Sequence, residues 1–448
     1  MSAERAPFHY AGEVESLPRE ALAALQLERL RKILARAYGK IDHYRRAFDA
    51  AGVKPDDIRH LEDLARLPFT TKQTLRDAYP FGLFAVAREK ISRLHASSGT
   101  TGKPTVVGYT AADLDLWAEL MARSMACAGV RPGDVAHNAL GYGLFTGGLG
   151  FHDGAQRLGC TVVPISGGLT ERQIVVMEDF GARVLFSTPS YALNIVEVAR
   201  QQGVDLAAGP LALGMFGAEP WSEAMRGELE SALGIKAMDH YGLSEIIGPG
   251  VAGECIEAQA GLHGWEDHFL FEIVDPHSGA PLPMGATGEL VITTLTKEAL
   301  PMIRYRTRDV TALTDEPCIC GRTHLRIRHI SGRDDDMLII RGVNVFPSQV
   351  EDVLVGLPDI APHYQLVVAR EGSLDTLTIE VEATPGAAAD EAARARIGDA
   401  VRHHIKSMIG VSCAVAVKAP GVVPRSQGKA VRVRDLRRTA RPSGDAAS

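Results

Sequence analysis

The chain has little of what marks several large protein classes. Six cysteines in 448 residues are too few and too scattered for the disulfide framework of small secreted domains. Basic charge is not in excess: 48 Lys and Arg against 55 Asp and Glu leave a net charge of −7. No basic stripe interleaved with aromatics points to nucleic acid as a partner. No uninterrupted apolar run reaches the ~20 residues of a membrane-spanning helix, so no membrane partner is expected. The stretch MSAERAPFHYAGEVES at the N-terminus lacks the basic and then apolar order of a secretory signal; the expectation is a cytoplasmic protein. Internal repeats are absent. What remains is 46% hydrophobic and 23% charged residues, the balance of an ordinary globular protein, with length for two or three domains.

Apolar residues at helical spacing (Leu22, Leu25, Leu30, Leu34, Ile41) predict an amphipathic helix over about 18–44. From about Ile91 to Ser244 short β-prone runs (CTVVPI, RVLFST, LALGMF) alternate with helical stretches such as AADLDLWAELMARSMACAG and SYALNIVEVARQQG. That alternation predicts βαβ units and a largely parallel sheet. Beyond Asp267 the texture becomes strands with turn-rich connections, HFLFEIVD and GELVITTL, which reads as a small antiparallel or barrel-like subdomain. After Gly332 a short helix near Ser348–Leu354, the strands YQLVVAR and TLTIEVEA, a long helical run and a last strand at Ala414–Lys418 read as a small α+β domain. The expected organisation is a large domain at 1–332, a hinge at 333–336, a small domain at 337–434 and an unstructured tail at 435–448.

The sharpest local signal is the run Ser97-Ser98-Gly99-Thr100-Thr101-Gly102-Lys103-Pro104-Thr105. Glycines let backbone N–H groups approach phosphate oxygens, hydroxyls donate to them, and Lys103 supplies a compact cation. It is not GxxxxGK[ST] running into a helix, because Pro104 follows the lysine and disfavours helix there. A flexible Ser/Gly linker is the rival reading for this run taken alone.

Five further segments follow in order: Phe216-Gly217-Ala218-Glu219-Pro220, Asp239-His240-Tyr241-Gly242-Leu243-Ser244-Glu245, Tyr305-Arg306-Thr307-Arg308-Asp309, Gly332-Arg333-Asp334-Asp335-Asp336 and Pro424-Arg425-Ser426-Gln427-Gly428-Lys429. Together with the loop they resemble the motifs of the adenylate-forming superfamily, and they span about three quarters of the chain. Within it the likeness is to phenylacetate–CoA ligases, carried by GYGLFTGGLG, YGLSEIIGPGVAGEC, TLTKEALPMIRYRTRD and SGRDDDMLIIRGVNVFPSQVE.

The resemblance implies an adenylate-forming fold, with a large α/β N-terminal domain and a small mobile α+β C-terminal domain. It also implies ATP, Mg²⁺ and coenzyme A acting on an aromatic acid, in an enzyme that relatives make a candidate homodimer. The loop Ser97–Lys103 would hold phosphates; Gly217, Ala218, Glu219 and Pro220 would lie beside adenine with Asp239, His240 and Tyr241; Asp309 would take the ribose hydroxyls. Ser244 would meet the α-phosphate and Glu245 would hold Mg²⁺, a hard cation that needs oxygen ligands. Lys429 would neutralise charge between the carboxylate and the α-phosphate, with a solvated surface lysine as its rival reading. Arg333 would touch nucleotide, with Arg306 and Arg341 competing for phosphate and an Arg306–Asp309 ion pair as the structural alternative. Asp335 is the hinge candidate, with Asp334 and Asp336 beside it. The aryl pocket is expected among Tyr142, Gly143, Phe145, Ala218, His240, Ile246, Gly248 and Pro249, where small residues leave room for a flat ring. His240 offers the one polar contact there and favours a ring bearing hydroxyl or amino groups.

Cys318 and Cys320 on a tight turn, with Cys255 and His263 upstream, could converge as a Cys₃His structural zinc site, or stay as free buried thiols. It would pin the loop capping the pocket. Cys127, Cys160 and Cys413 read as core. The same motifs would serve an enzyme that passes its acyl group to a carrier protein or an amine, or that closes an amide or heterocycle. A non-catalytic nucleotide-binding regulator would not need Lys429, Glu245 and Asp309 together.

Overall fold

The computed structural model describes residues 7–96, 104–330, 332–333, 338–340, 343–371, 374–425 and 430–438. The βαβ alternation folds as expected. Strands Val135–Asn138, Thr161–Val163, Val184–Ser187, Leu213–Phe216 and Lys236–Leu243 pair in parallel. Helices Ala111–Cys127, Gly147–Leu158, Thr170–Asp179, Pro189–Gln201 and Glu223–Leu233 connect and cover them. At Lys236–Leu243 the sheet changes hand of pairing: its next neighbour, Gly248–Glu254, runs antiparallel, followed by Leu262–Gly264, Arg326–Ile327 and Leu313–Thr314 for nine strands in all.

The subdomain expected beyond Asp267 is a four-stranded antiparallel sheet, Phe269–Val274, Gly288–Thr294, Tyr305–Thr311 and Gly332–Arg333. The small domain has its own four-stranded sheet, in which Leu374–Ala383 and Ile360–Glu371 are flanked by Ala414–Lys418 and Val433–Asp435. Helices Pro347–Val355 and Glu391–Met408 close over it around a separate apolar core. Among the described residues no helix is long and apolar enough to cross a membrane.

Two expectations need correction. The helix expected over 18–44 is two, Arg19–Lys40 and Asp42–Ala50, because Ile41 takes an extended conformation (φ −121°, ψ 112°) while staying buried. The unstructured tail does not begin at 435. Val433–Asp435 pairs in parallel with Leu366–Val368, Val433 packs on the small core, and the Arg437 guanidinium bonds the carboxylates of Asp435 and Asp375. The expected hinge residues Asp334, Asp335 and Asp336 and the chain beyond 438 lie outside the described residues.

Helix 111–127 starts on a reciprocal cap, with Thr110 Oγ1 accepting from Asp113 N–H and Asp113 accepting from Thr110 N–H, both at 3.0 Å. It packs on helix 147–158 at close range. A Cβ on Gly154 would lie 2.3 Å from Met121 Cβ, and one on Gly150 would lie 2.6 Å from the Trp117 ring. A mid-helix glycine costs about 1 kcal/mol against alanine, so Gly154 stands there because the two backbones need the space. Gly154→Ala is expected to destabilise by about 1–3 kcal/mol through overpacking despite its better helix propensity. Urea unfolding measures this; a stabilised variant would contradict it.

Candidate active site

Strand 236–243 ends where a single cleft of about 340 Å³ opens. Ala218, Glu219 and Pro220 line it from the turn after Leu213–Phe216, Asp239 to Glu245 from the strand end, and Tyr305, Thr307 and Asp309 from the antiparallel sheet. Phe145 and Pro249 lie on it as well. Segments nearly a hundred residues apart thus meet around one space.

The chain reaches this geometry under local strain. Ala218 sits at φ +68° and Arg308 at φ +69°, left-handed values that cost a non-glycine residue about 1–3 kcal/mol each. Ala218 lines the cleft, and Arg308 stands between two residues that do. Gly242 meets its neighbour strand so closely that a Cβ would lie 2.2 Å from Gly248 O. The pairing register shifts between Tyr241 and Gly242, a bulge that redirects the strand end.

The side chains fall into distinct environments. The Tyr241 hydroxyl donates to Asp309 Oδ2 at 2.5 Å. Burial pushes Asp239 up to about 6 and holds His240 down at about 4, so the imidazole is neutral near pH 7. His240 Nδ1 is buried with no hydrogen-bond partner among the described residues, and its ring meets Phe151 edge-on at 4.6 Å between centroids. Ser244 Oγ is 3.0 Å from Thr146 Oγ1, and Thr105 Oγ1 lies 3.4 Å from Glu245 Oε1.

Not every expected residue joins the cleft. Tyr142 bonds Asn138 Nδ2 at 2.8 Å and His152 Nδ1 at 3.2 Å, and Ile246 is core. Gly143, Gly217 and Gly248 do not line it; Gly217 instead lets His240 pack, since a Cβ would meet that ring at 2.6 Å, and Gly248 likewise makes room for Trp117. Glu219 lines the cleft but spends its oxygens on the backbone N–H of Ser190 at 2.8 Å and of Ala430 at 2.6 Å.

Arg306 neither pairs with Asp309 nor stands ready for phosphate. It bonds Glu289 and the Pro276 carbonyl. Strand parity is the reason, since residues three apart on a strand face opposite sides, and the burial of 305–311 alternates accordingly. Ser97 to Lys103, Arg341 and Lys429 lie outside the described residues; of Arg333 only the backbone is described, opposite Asp309 across the sheet.

Sequence reasoning missed Lys72, Thr146, Gly147, Trp221, Leu262, Tyr305, Thr307, His329 and Ile330 in the cleft wall. Period-two spacing from Asp309 would have found Tyr305 and Thr307, and the stretch GYGLFTGGLG already held Thr146 and Gly147; the others carry no local signal.

The cysteine cluster does converge. The ligand atoms of Cys255, His263, Cys318 and Cys320 lie within 4.8 Å of one another. Cys255 Sγ is 3.6 Å from Cys318 Sγ, and Cys320 Sγ is 3.3 Å from His263 Nε2. A tetrahedral zinc with Zn–S of about 2.3 Å sets its ligands about 3.5–3.8 Å apart, so the donor set and spacing fit the ion. The turn is tied chiefly to the N-terminal segment: His9 Nε2 meets Cys320 O at 2.9 Å, and fully buried Arg322 pairs with Glu15 at 2.7 Å.

A family model described as AMP-binding enzyme matches residues 61–296, and one described as AMP-binding enzyme C-terminal domain matches 342–437. The chain belongs to the AMP-binding enzyme family. Curated relatives of this AMP-binding enzyme include the phenylacetate-coenzyme A ligase of Thermus thermophilus, 54% identical over 96% of this chain and 100% of that one. The Escherichia coli phenylacetate-coenzyme A ligase is 55% identical over 95% of this chain and 97% of that one. Among solved structures, a 2-hydroxyisobutyryl-CoA ligase in its postadenylation state superposes with a TM-score of 0.90 at 30% identity, over 95% of this chain and 92% of that one. The same ligase in its thioesterification state with CoA gives 0.71 at 31% identity, over 94% and 91%.

Behind the cleft Lys297, 1% exposed, donates to the Glu245 carbonyl at 3.3 Å and lies 5.0 Å over the Tyr109 ring. Burial pulls its ammonium down to about 8 from 10.5, with Asp113 and Glu245 opposing. Between those values the unfolded lysine is protonated and the folded one is not. The unfolded state then binds more protons, and stability rises with pH. From pH 7.5 to 10 the stability of the wild type relative to Lys297→Met should therefore rise by about 2 kcal/mol, read from urea midpoints. A pH-independent difference would refute the buried ammonium.

Proposed function

We propose that the chain is an ATP-dependent ligase that activates an aromatic carboxylic acid as its acyl-adenylate and passes the acyl group to coenzyme A, releasing AMP and pyrophosphate. Phenylacetate, the acid named for the relatives, is the first candidate. The observation that carries this is the meeting of 218–220, 239–245 and 305–309 in one cleft of about 340 Å³.

A carboxylate is a poor electrophile, so its oxygen first attacks the ATP α-phosphorus and expels pyrophosphate. The barrier is charge crowding at phosphorus, which fixed cations and donors lower. In this reading Tyr241 packs against adenine and Asp309, oriented by the Tyr241 hydroxyl, accepts from the ribose hydroxyls. Lys429 and the loop Ser97–Lys103 meet the phosphates. Glu245 would hold Mg²⁺, which supplies charge neutralisation at the phosphate oxygens. Phe145, Ala218 and His240 bound the space for the ring, and the neutral His240 Nδ1 can accept from a hydroxyl or amino substituent. The acyl-adenylate carbon is then attacked by the CoA thiol, and AMP leaves.

Pyrophosphate exchange across phenylacetate and its hydroxy and amino analogues, with hydroxy- and aminobenzoates, and with CoA added afterwards, tests the reading. Acid-dependent exchange followed by thioester is expected. Adenylate that never becomes thioester would move the acceptor to a carrier protein or amine, and no exchange with any acid would end the proposal. Phenylacetate beating every hydroxy or amino acid would remove the selective role of His240. Lys429→Ala should fold and lose exchange by about 10²–10³-fold; near wild-type exchange would reject its role.

Cys255, His263, Cys318 and Cys320 would hold a structural zinc that fixes the 318–322 turn and does no chemistry. Metal analysis after purification without chelator should find about one equivalent, as one closed four-ligand site requires; under about a tenth would remove the ion.

A further inference from the structure

Three carboxylates bond across the seam between the small domain and the large one, beside an Arg432 to Ser190 Oγ bond at 3.4 Å. Glu197, on helix 189–201, takes the Arg425 guanidinium through two 2.9 Å bonds and lies 3.1 Å from His363 Nε2. Glu219 bridges Ser190 N–H of the large domain and Ala430 N–H of the small one. Glu351 of the small domain, 2% exposed, accepts from Ser222 N–H of the large domain at 3.3 Å. His363 and then Arg425 hold Glu197 down at about 2, so it is a full anion at any working pH.

Arg425, Glu197, Glu219 and Glu351 each have a second place to go. Arg425 also pairs with Glu382 of its own domain. Glu219 keeps Ser190, and Glu351 keeps Arg432 at 3.2 Å and the Tyr364 hydroxyl at 3.1 Å. Glu197, with 31% of its side chain exposed, can return to water. Parting the domains therefore strands no buried charge, the outcome that makes most broken ion pairs expensive. Contacts that are firm yet replaceable suit a joint that must open on every turnover.

The arrangement they hold is a particular one. The chain superposes on the postadenylation state of the 2-hydroxyisobutyryl-CoA ligase at 0.90 and on its thioesterification state at 0.71, over nearly the same coverage. A contact present in one arrangement and absent in another shifts the balance by its differential energy.

We propose that Glu197 is a positioning residue that selects the arrangement of the small domain used for adenylation and releases it for thioester formation. This rests on the two-step ligase reading above. Glu197 does no chemistry and acts through Arg425 and His363.

The test separates the two half-reactions in Glu197→Lys and Glu197→Gln. One assay is pyrophosphate exchange with the acid identified by the panel. The other supplies that acid's preformed adenylate with CoA and follows thioester. Glu197→Lys places a cation against Arg425 and His363, and should slow exchange by about tenfold, within the usual span of coupling effects. Its thioester step should stay at or above the wild-type rate. Glu197→Gln should show the same split more weakly, with its melting temperature unchanged. Equal loss in both halves, or no loss of exchange in any variant, overturns the proposal. A wild type inactive in both halves would instead overturn the ligase reading, and this inference with it.

Discussion

Strand 236–243 has to satisfy two sheets' worth of neighbours at once. On one side it pairs in parallel with 213–216, on the other antiparallel with 248–254, and the site exists because those two demands cannot both continue. The pairing breaks register at Tyr241–Gly242, where the approach of Gly248 leaves no room for a side chain. Gly242 and Leu243 still pair beyond the shift, and the turn that follows presents Ser244 and Glu245 to the cleft. Asp239, His240 and Tyr241 precede the break and point to alternate faces. Only Gly fits at 242, so the motif's glycine is a packing requirement before it is a functional one.

The second sheet is brought to this strand end by the bond between the Tyr241 hydroxyl and Asp309. Strand 305–311 can supply Tyr305, Thr307 and Asp309 to one side only by giving Arg306 and Arg308 to the other, where Glu289 receives them. The aspartate is thereby kept clear of its sequence-neighbour arginine. The cleft gains a carboxylate from the antiparallel sheet, facing those of Glu219, Asp239 and Glu245 from the other walls. Behind it, Lys297 and Asp113 tie the 295–299 segment to Glu245 and to the cap of helix 111–127. The metal-binding candidate and the domain core therefore share a frame.

Much of this was legible in the sequence because motifs of mixed Gly, hydroxyl and charge are rare in plain scaffold. The order of segments anticipated the cleft, and the alternation of apolar runs anticipated the parallel strands and the small α+β domain. Cys255, His263, Cys318 and Cys320 were also named together, although 63 positions separate Cys255 and Cys318, whose free thiols meet at 3.6 Å. What could not be read is tertiary. Tyr142 turns to Asn138 and His152, Ile246 goes to the core, and His329 enters the cleft wall without any local mark. Arg306 was misjudged because its segment was identified only as a motif, so the strand alternation that turns it to Glu289 was not applied. Glu197 is an ordinary surface residue in sequence, and Glu219 is legible only as part of the 216–220 motif; the meeting of two domains gives both their place at the seam.

The central claim is that the space between the 218–220 turn, the 239–245 strand end and the 305–309 strand receives an aryl-adenylate. A crystal structure with a stable acyl-sulfamoyl-adenosine analogue measures this directly. The account predicts adenine against the Tyr241 ring, ribose hydroxyls on the Asp309 carboxylate and the aryl group between Phe145 and His240. An analogue bound elsewhere, or one whose ribose leaves Asp309 untouched, would contradict it.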